Sequence, residues 1–457
     1  MIKNGIGMKY LKSFYNSYKE TDYVIKESSN TIGTYINTKH GVTQGKTTSA
    51  NYFSFNISDM GNFVKQSNTN DFMDPFFLFQ LADDTTIVSD NIQSFIKKMK
   101  SISEYSSKKY LKLHPSKSKF LHLTEENPIL SDIIINDNFM IKPVNESGYL
   151  WLGFYLSYSN NISDIIEFHL SKKMLHISTF YSWLAINEDT PIKIKLLVLY
   201  NCLFATILYS CEVWGYIDTQ LINKIVNIEK KALKACLCIK KSTPDDIVYT
   251  ELNIGDIKST ILDRQYNFIQ RFLQNDTATT ISKNIWNLYQ NIINENDPNN
   301  ILSYYMNLQN NNKIRNKEER KSRLMQSSTT MITRYKQLFN LNYCSILYDS
   351  YVNERDRIII TRWRLSCHKL KIETGRYTIP PLPREERLCI ACLTIEDEQH
   401  VIFECIYNVL IRERHKKILD RYKSTSELLQ PKNEEETVLI ARLLKDIEDN
   451  RLRMKLD

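Results

Sequence analysis

In the first part of the chain, the spacing of hydrophobic residues changes from that of strands to that of a helix. In FLFQLADDTTIVSD, residues 77–90, an apolar run stops at Asp83 and Asp84 and then resumes. This pattern predicts two strands joined by a tight turn with both carboxylates at its tip. The following segment, 91–107, has apolar residues at helical spacing and predicts a helix. With further strand-like segments up to residue 156, this part of the chain predicts an α+β fold.

The Asp83–Asp84 pair is a candidate cation site. Adjacent carboxylates repel each other, and a hard divalent cation such as Mg²⁺ takes oxygen ligands and bridges to substrate phosphates. Pairs of aspartates are also common in solvated turns. The pair alone therefore leaves both interpretations open.

The pattern becomes helical from about residue 160 to residue 275. In TQLINKIVNIEKKALKAC, residues 219–236, apolar side chains form one stripe of a predicted helix. Lys224, Lys231 and Lys234 lie on an adjoining face at helical spacing. Such lysines can neutralise the phosphates of a nucleic acid, or they can form an ordinary solvated face. The sequence favours neither interpretation.

Asparagine dominates the next segment and predicts a mobile linker, which we place at 284–325. It ends with the basic run KIRNKEERKSR, residues 313–323, which glutamates interrupt and which is typical of a solvated helix face. A helical C-terminal region is expected at 326–457. The sequence thus predicts several domains rather than one core.

Composition indicates a folded intracellular protein. The chain has 457 residues, 42% of them hydrophobic, and a net charge of +8, which is compatible with nucleic-acid binding without being diagnostic. Nine cysteines and no secretory signal predict reduced thiols, some available to a metal, in the nucleus or the cytoplasm.

One uncharged segment tests the membrane alternative. Residues 196–211 carry no charge, but the run is shorter than the ~20 residues of a spanning helix and contains Asn201. We expect a buried core helix there and no membrane association.

A cysteine and histidine pattern near the C-terminus predicts a metal site. Cys389, Cys392, His400 and Cys405 have the spacing C-x2-C-x7-H-x4-C within residues 387–415. Three thiolates and one imidazole make a closed tetrahedral Zn²⁺ site, and we expect a small zinc-knuckle-like module. The alternative is a set of reduced cysteines with no metal.

Four segments together resemble a known family. GVTQGKTTSANYFSF at 41–55 resembles the "GVxQG…S…LF" motif of reverse transcriptases, and LADD at 81–84 resembles their xADD motif. YLKLHPSKSKFLHL at 110–123 and GYLWLGFYLS at 148–157 are similar to the motifs that follow in that family. The order and spacing are most similar to those of non-LTR (LINE-type) retrotransposon polymerases, and the resemblance extends to the Cys/His segment.

The resemblance implies an RNA-directed DNA polymerase with an RNA template and a DNA primer or target as partners. It implies a partial palm at 1–158 and a helical thumb at 159–283, to which the lysines described above belong. Several site residues are carried over with it. They are Asp83 and Asp84 as Mg²⁺ ligands, Lys117 beside the leaving group, and Gln44, Gly45 and Ser49 around the nucleotide and template.

One family motif has no counterpart. The first metal-binding aspartate of these enzymes belongs to an "FxDxxxAFD" strand before "GVxQG", and nothing before Gly41 matches it. We therefore expect a chain that corresponds to the 3′ portion of a retrotransposon reading frame and does not polymerise DNA alone. The alternative function is non-catalytic nucleic-acid binding through the lysines and the zinc module.

Overall fold

The structure is a computed structural model that divides into two compact units, the first ending at Leu152 and the second beginning at Gly153. This division lies close to the predicted end of the palm at 158. The residues that the structure describes are 7–18, 21–28, 31–38, 49–65, 78–123, 129–137, 139–145, 147–157, 162–215, 219–274, 308–339, 343–350 and 352–453.

The first unit combines helices with short strands. Its elements are α1 (Met8–Tyr18), β1 (Thr21–Ser28), β2 (Thr31–Thr38), α2 (Ser49–Asn56), α3 (Met60–Lys65), β3 (Leu78–Leu81), β4 (Asp84–Ile87), α4 (Ile92–Lys108), β5 (Lys119–Phe120), β6 (Ile133–Asn136), β7 (Phe139–Pro143) and β8 (Tyr149–Trp151). β1 with β2 and β3 with β4 form antiparallel hairpins. β7 is the central strand of a three-stranded sheet, parallel to β5 and antiparallel to β6. The mixture agrees with the predicted α+β class.

Helix α4 organises this unit. Asn91 caps it by accepting a hydrogen bond of 2.8 Å from the backbone N–H of Ser94. One side of the helix places Ile102 against the apolar residues of α2 and α3. The other side places Met99 against the buried face of the three-stranded sheet. The helix predicted at 91–107 is confirmed, because its apolar spacing matches a helix packed on both sides.

The second unit is almost entirely helical. Its first elements are β9 (Phe154–Leu156), α5 (Ile162–Met174), α6 (His176–Ile186), α7 (Ile192–Val198), α8 (Ala205–Ile207), α9 (Cys211–Trp214), α10 (Thr219–Leu237), α11 (Asp245–Leu252) and α12 (Ile257–Gln274). Its later elements are α13 (Asn312–Gln326), α14 (Thr330–Phe339), α15 (Ser345–Tyr348), α16 (Glu354–Arg364), α17 (Lys371–Thr374), α18 (Val409–Arg414), α19 (Lys416–Leu419), α20 (Thr425–Leu428) and α21 (Glu434–Arg453).

A single hydrophobic core runs through the second unit. It contains residues from α5 to α12 together with residues from α13 to α21. Buried ion pairs join the same two groups: Lys195 contacts Glu354 at 2.7 Å, and Arg364 contacts Glu251 at 2.5 Å. These helices were predicted to form two regions, a thumb and a separate C-terminal region. The structure joins them, because the apolar faces of both groups complete one core.

The linker expected at 284–325 differs from the structure in its second part. Residues 284–307 lie outside the described residues, but Asn312–Gln326 forms α13. Leu324 and Arg320 of this helix are buried. The asparagine content suggested a turn-rich segment. The strong helix formers from Lys313 onward outweigh it once Leu324 has a core to enter.

The uncharged segment at 196–211 is buried on one face, and Leu197 and Tyr209 on its other side are exposed. It forms the end of α7, a π-helical segment at Leu199–Phe204, and α8. Leu199, Phe204 and Ile207 are almost inaccessible to solvent. Within the described ranges, no helix is both long and apolar enough to cross a membrane.

Candidate nucleic-acid and metal sites

The three lysines predicted for phosphate binding lie on α10 in different surroundings. Lys224 forms an exposed ion pair of 3.1 Å with Glu167. Lys234 contacts Asp245 at 2.7 Å and donates to the carbonyl oxygen of Lys241 at 2.9 Å. Lys231 is exposed. Of these three lysines, Lys231 alone can therefore bind a phosphate without first breaking an ion pair with a carboxylate.

The Cys/His segment folds into a compact knuckle. An isolated antiparallel bridge joins Leu388 to Ile395, and the Cys389 N–H donates to the Thr394 carbonyl oxygen at 2.7 Å. Between them, Leu393 closes the turn with a φ of +54°. This turn brings Cys392 back beside Cys389.

All four predicted zinc ligands lie close together. Cys389, Cys392, His400 and Cys405 each offer a ligand atom, and these atoms lie within 4.8 Å of one another. The Sγ atom of Cys405 is 3.8 Å from that of Cys389 and 3.7 Å from that of Cys392. Sulfur atoms at the corners of a tetrahedron with Zn–S bonds of ~2.3 Å are ~3.8 Å apart. The donor set therefore fits a tetrahedral zinc ion.

The surroundings of the cluster favour a thiolate at one cysteine. Burial opposes ionisation of Cys389, but hydrogen bonds from His400 and from the backbone N–H groups of Cys392 and Ala391 lower its pKa to about 7. Burial and the neighbouring charge of Cys389 raise the pKa of Cys405 to about 12. Two adjacent thiolates repel each other, and a cation between them would remove that repulsion.

Further groups orient the ligands. The backbone N–H of Ile406 donates to the Sγ of Cys392 at 3.4 Å. The Thr394 hydroxyl lies 3.1 Å from Nδ1 of His400. The backbone N–H of His400 donates to the Asp397 carboxylate at 3.0 Å. Such outer partners fix the orientation of metal ligands.

Asp83 and Asp84 lie at the tip of the β3–β4 hairpin. Leu81 pairs with Asp84, so Ala82 and Asp83 form a two-residue loop. Ala82 has a φ of +52°, in the left-handed region that such loops favour. Both aspartates are exposed. The predicted strand–turn–strand is confirmed.

Strand β8 connects this hairpin to the segment that contains Lys117. The Tyr149 hydroxyl donates to the carbonyl oxygen of Lys117 at 2.8 Å. Burial, and then the charge of Asp84, raise the pKa of Tyr149. The Trp151 indole N–H donates to the Thr86 hydroxyl at 2.8 Å. Three of the four segments that resemble reverse transcriptase motifs are thus linked by hydrogen bonds or lie side by side in the first unit.

Tyr149 and Trp151 were not predicted as site residues. The available signal was their spacing, because residues two apart on a strand project from the same face. Lys117 also differs from expectation. The strand of this segment, β5, follows Lys117, which lies in the turn that begins at His114, where Pro115 has no N–H for a ladder.

The remaining predicted substrate residues divide between described and undescribed positions. Ser49 is the first residue of α2 and is buried. Gln44 and Gly45 lie outside the described residues.

The first unit corresponds to a known protein family. Residues 3–156 match the model of the family described as reverse transcriptase (RNA-dependent DNA polymerase). About one third of the chain is thus similar to the reverse transcriptase family. No curated protein matches the chain.

The matched residues include the aspartate hairpin, Lys117, β8 and the turn toward β9. Reverse transcriptases bind a nucleic-acid template and primer and normally use Mg²⁺. Within the part of the chain that the structure describes, no third His, Cys, Asp or Glu joins Asp83 and Asp84 in a metal-holding cluster. The α10 lysines and the Cys/His knuckle lie beyond the matched residues.

Proposed function

We propose that the chain is an RNA-directed DNA polymerase protein of the non-LTR retrotransposon type. The observation that carries the proposal is the exposed Asp83–Asp84 tip inside the residues that match the reverse transcriptase family. The non-LTR assignment rests on the motif order and on the Cys/His segment that follows the helical region.

In this proposal each residue has a specific task. Asp83 and Asp84 offer carboxylate oxygens to Mg²⁺, which when bound supplies the charge that activates the primer 3′-hydroxyl and stabilises pyrophosphate. Lys117 lies near the leaving group. Gln44, Gly45 and Ser49 border the nucleotide and template. Tyr149 holds the Lys117 segment beside the aspartate hairpin through its 2.8 Å hydrogen bond.

We also propose that the Cys/His knuckle holds one structural zinc ion that keeps a nucleic-acid-contacting module folded. The tetrahedral spacing of its sulfur atoms supports this assignment. On α10, Lys231 is proposed to contact a backbone phosphate. Lys224 and Lys234 can contact phosphate only after their ion pairs with Glu167 and Asp245 are broken.

A second function, nucleic-acid binding without polymerisation, is favoured by a specific observation. Two nearby Mg²⁺ ions need several negative ligands, and Asp83 and Asp84 have no third ligand beside them among the described residues. They also share one turn, so they cannot enclose a metal pair from two strands. This second function predicts that the chain alone binds primer–template without extending it.

Primer extension on an RNA template separates the two functions. The purified chain is assayed with Mg²⁺ and with Mn²⁺ beside two variants, Asp83→Ala and the control Asp90→Ala, whose carboxylate lies outside the turn. Extension lost only in Asp83→Ala supports the polymerase. Binding without extension in every sample supports the second function, and failure to bind primer–template contradicts both.

A further inference from the structure

Helix α13 is held in place by its inner face. Arg320 is buried and ion-paired to Asp246 at 3.3 Å and to Asp256 at 3.6 Å. Its guanidinium lies 4.1 Å from the centre of the Tyr249 ring. Leu324, one turn later, is buried in the core. The helix is therefore a fixed element of the second unit and not a flexible basic tail.

Three lysines form a stripe beside that inner face. Lys313, Lys317 and Lys321 follow one another at intervals of four residues, and we call them the α13 lysine stripe. Four residues advance a helix by ~6 Å, so the stripe extends over ~12 Å. Across the part of the chain that the structure describes, none of the three belongs to an ion pair.

The aspartates around the stripe contact other groups. Asp246 and Asp256 contact Arg320. Asp263 accepts hydrogen bonds from the backbone N–H groups of Asn312 at 2.7 Å and Lys313 at 3.3 Å, which caps the helix. Glu318 precedes Lys321 by three residues without forming an ion pair with it in the described structure.

The stripe therefore keeps an uncompensated positive charge. Burial, followed by the charges of Lys313, Lys321 and Arg320, lowers the pKa of Lys317. Like charges four residues apart on a helix repel each other and destabilise it. A polyanion lying along the helix would remove this repulsion.

We propose that the α13 lysine stripe binds the sugar–phosphate backbone of a nucleic-acid strand. Phosphates along one strand advance by ~3.4 Å, so a stripe of ~12 Å follows about three to four nucleotides. The choice of nucleic acid as the polyanion rests on the proposed function. The stripe is better suited to this task than the α10 lysines, because Lys224 and Lys234 already have carboxylate partners.

The test compares two triple variants of the full chain. One carries Lys313→Gln, Lys317→Gln and Lys321→Gln, which removes the charge and preserves helix propensity. The matched control carries Lys193→Gln, Lys369→Gln and Lys445→Gln, three exposed lysines from different segments. Anisotropy of a fluorescent single-stranded RNA and of an RNA–DNA hybrid is titrated between 50 mM and 400 mM salt. Thermal melting confirms that both variants are folded.

Each phosphate contact contributes about 0.7–0.9 to the slope of log K against log salt. We expect the stripe variant to lose about two to three units of slope and at least ~10-fold in affinity at 0.1 M salt, with the control close to wild type. A stripe variant that matches the control overturns the inference alone. Wild-type protein that binds neither ligand overturns the inference and the nucleic-acid function together. If the stripe variant loses binding to phosphatidylserine vesicles but binds RNA as tightly as wild type, the inference is also overturned.

Discussion

A substitution at the buried carboxylate of Glu354 tests whether the early and late helices of the second unit stabilise each other. Its two oxygens contact the Lys195 Nζ at 2.7 Å, the Ile192 N–H at 3.0 Å and both the Nε and a terminal nitrogen of Arg357 at 2.8 Å and 2.7 Å. Side chains of Lys195 and Glu354 are almost fully buried. Replacing Glu354 by Gln leaves two buried cations without a counter-charge while preserving the shape of the side chain.

Breaking a buried ion pair by removing one partner costs about 3–5 kcal/mol, because the remaining charge is desolvated and uncompensated. We expect Glu354→Gln to lower the free energy of unfolding of the second unit by about 3 kcal/mol. With a urea m-value of about 3 kcal/mol/M, the midpoint falls by about 1 M.

The assay is urea unfolding followed by tryptophan fluorescence, because Trp183, Trp214 and Trp363 all lie in this unit. The neighbouring pair Arg355–Asp189 is the matched control. It is bidentate at 2.8 Å but mostly exposed and screened by solvent, so Asp189→Asn should change stability far less than Glu354→Gln. If Glu354→Gln is no more destabilising than Asp189→Asn, the buried pair does not hold α7 to α16.

Two further predictions concern the knuckle and a buried histidine. Purified protein should contain one zinc ion by elemental analysis, and Cys389→Ser with Cys405→Ser should remove it while Cys202→Ser does not; equal zinc in all three samples would contradict the site. Burial and the charge of Lys173 lower the pKa of His169 to about 4, below its value of about 6.5 in the unfolded chain, so the folded state favours the neutral ring. Stability should therefore decrease as pH falls from about 6.5 to about 4, more steeply in wild type than in His169→Gln, as chemical denaturation at each pH would measure; parallel curves would refute this.

Features that depend on neighbouring residues were predictable from the sequence. The hairpin that carries Asp83 follows from an apolar run interrupted by two polar residues, and α4 follows from its apolar spacing and its Asn91 cap. The Cys/His cluster was also recognisable, because a tetrahedral metal constrains both the residue types and their spacing. These signals are local and do not require knowledge of distant contacts.

Features that depend on distant residues were not predictable. Glu251 and Glu354 resemble ordinary surface glutamates in the sequence, yet both are buried against cations from remote helices. The asparagine-rich segment concealed α13, because the helix is stabilised by partners on α11 and α12. Tyr149 was missed because its function as a link depends on Lys117 and Asp84, which belong to other segments.

The separation of Lys195 and Glu354 has a consequence for synthesis on the ribosome. The two residues are 159 positions apart, and a chain grows by about 5–20 residues per second. Helix α7 is therefore synthesised roughly 10–30 s before its counter-charge. During that interval Lys195 lacks the carboxylate with which it is buried, so a nascent chain paused between these two positions should bind chaperones, and the full-length chain released from the ribosome should not.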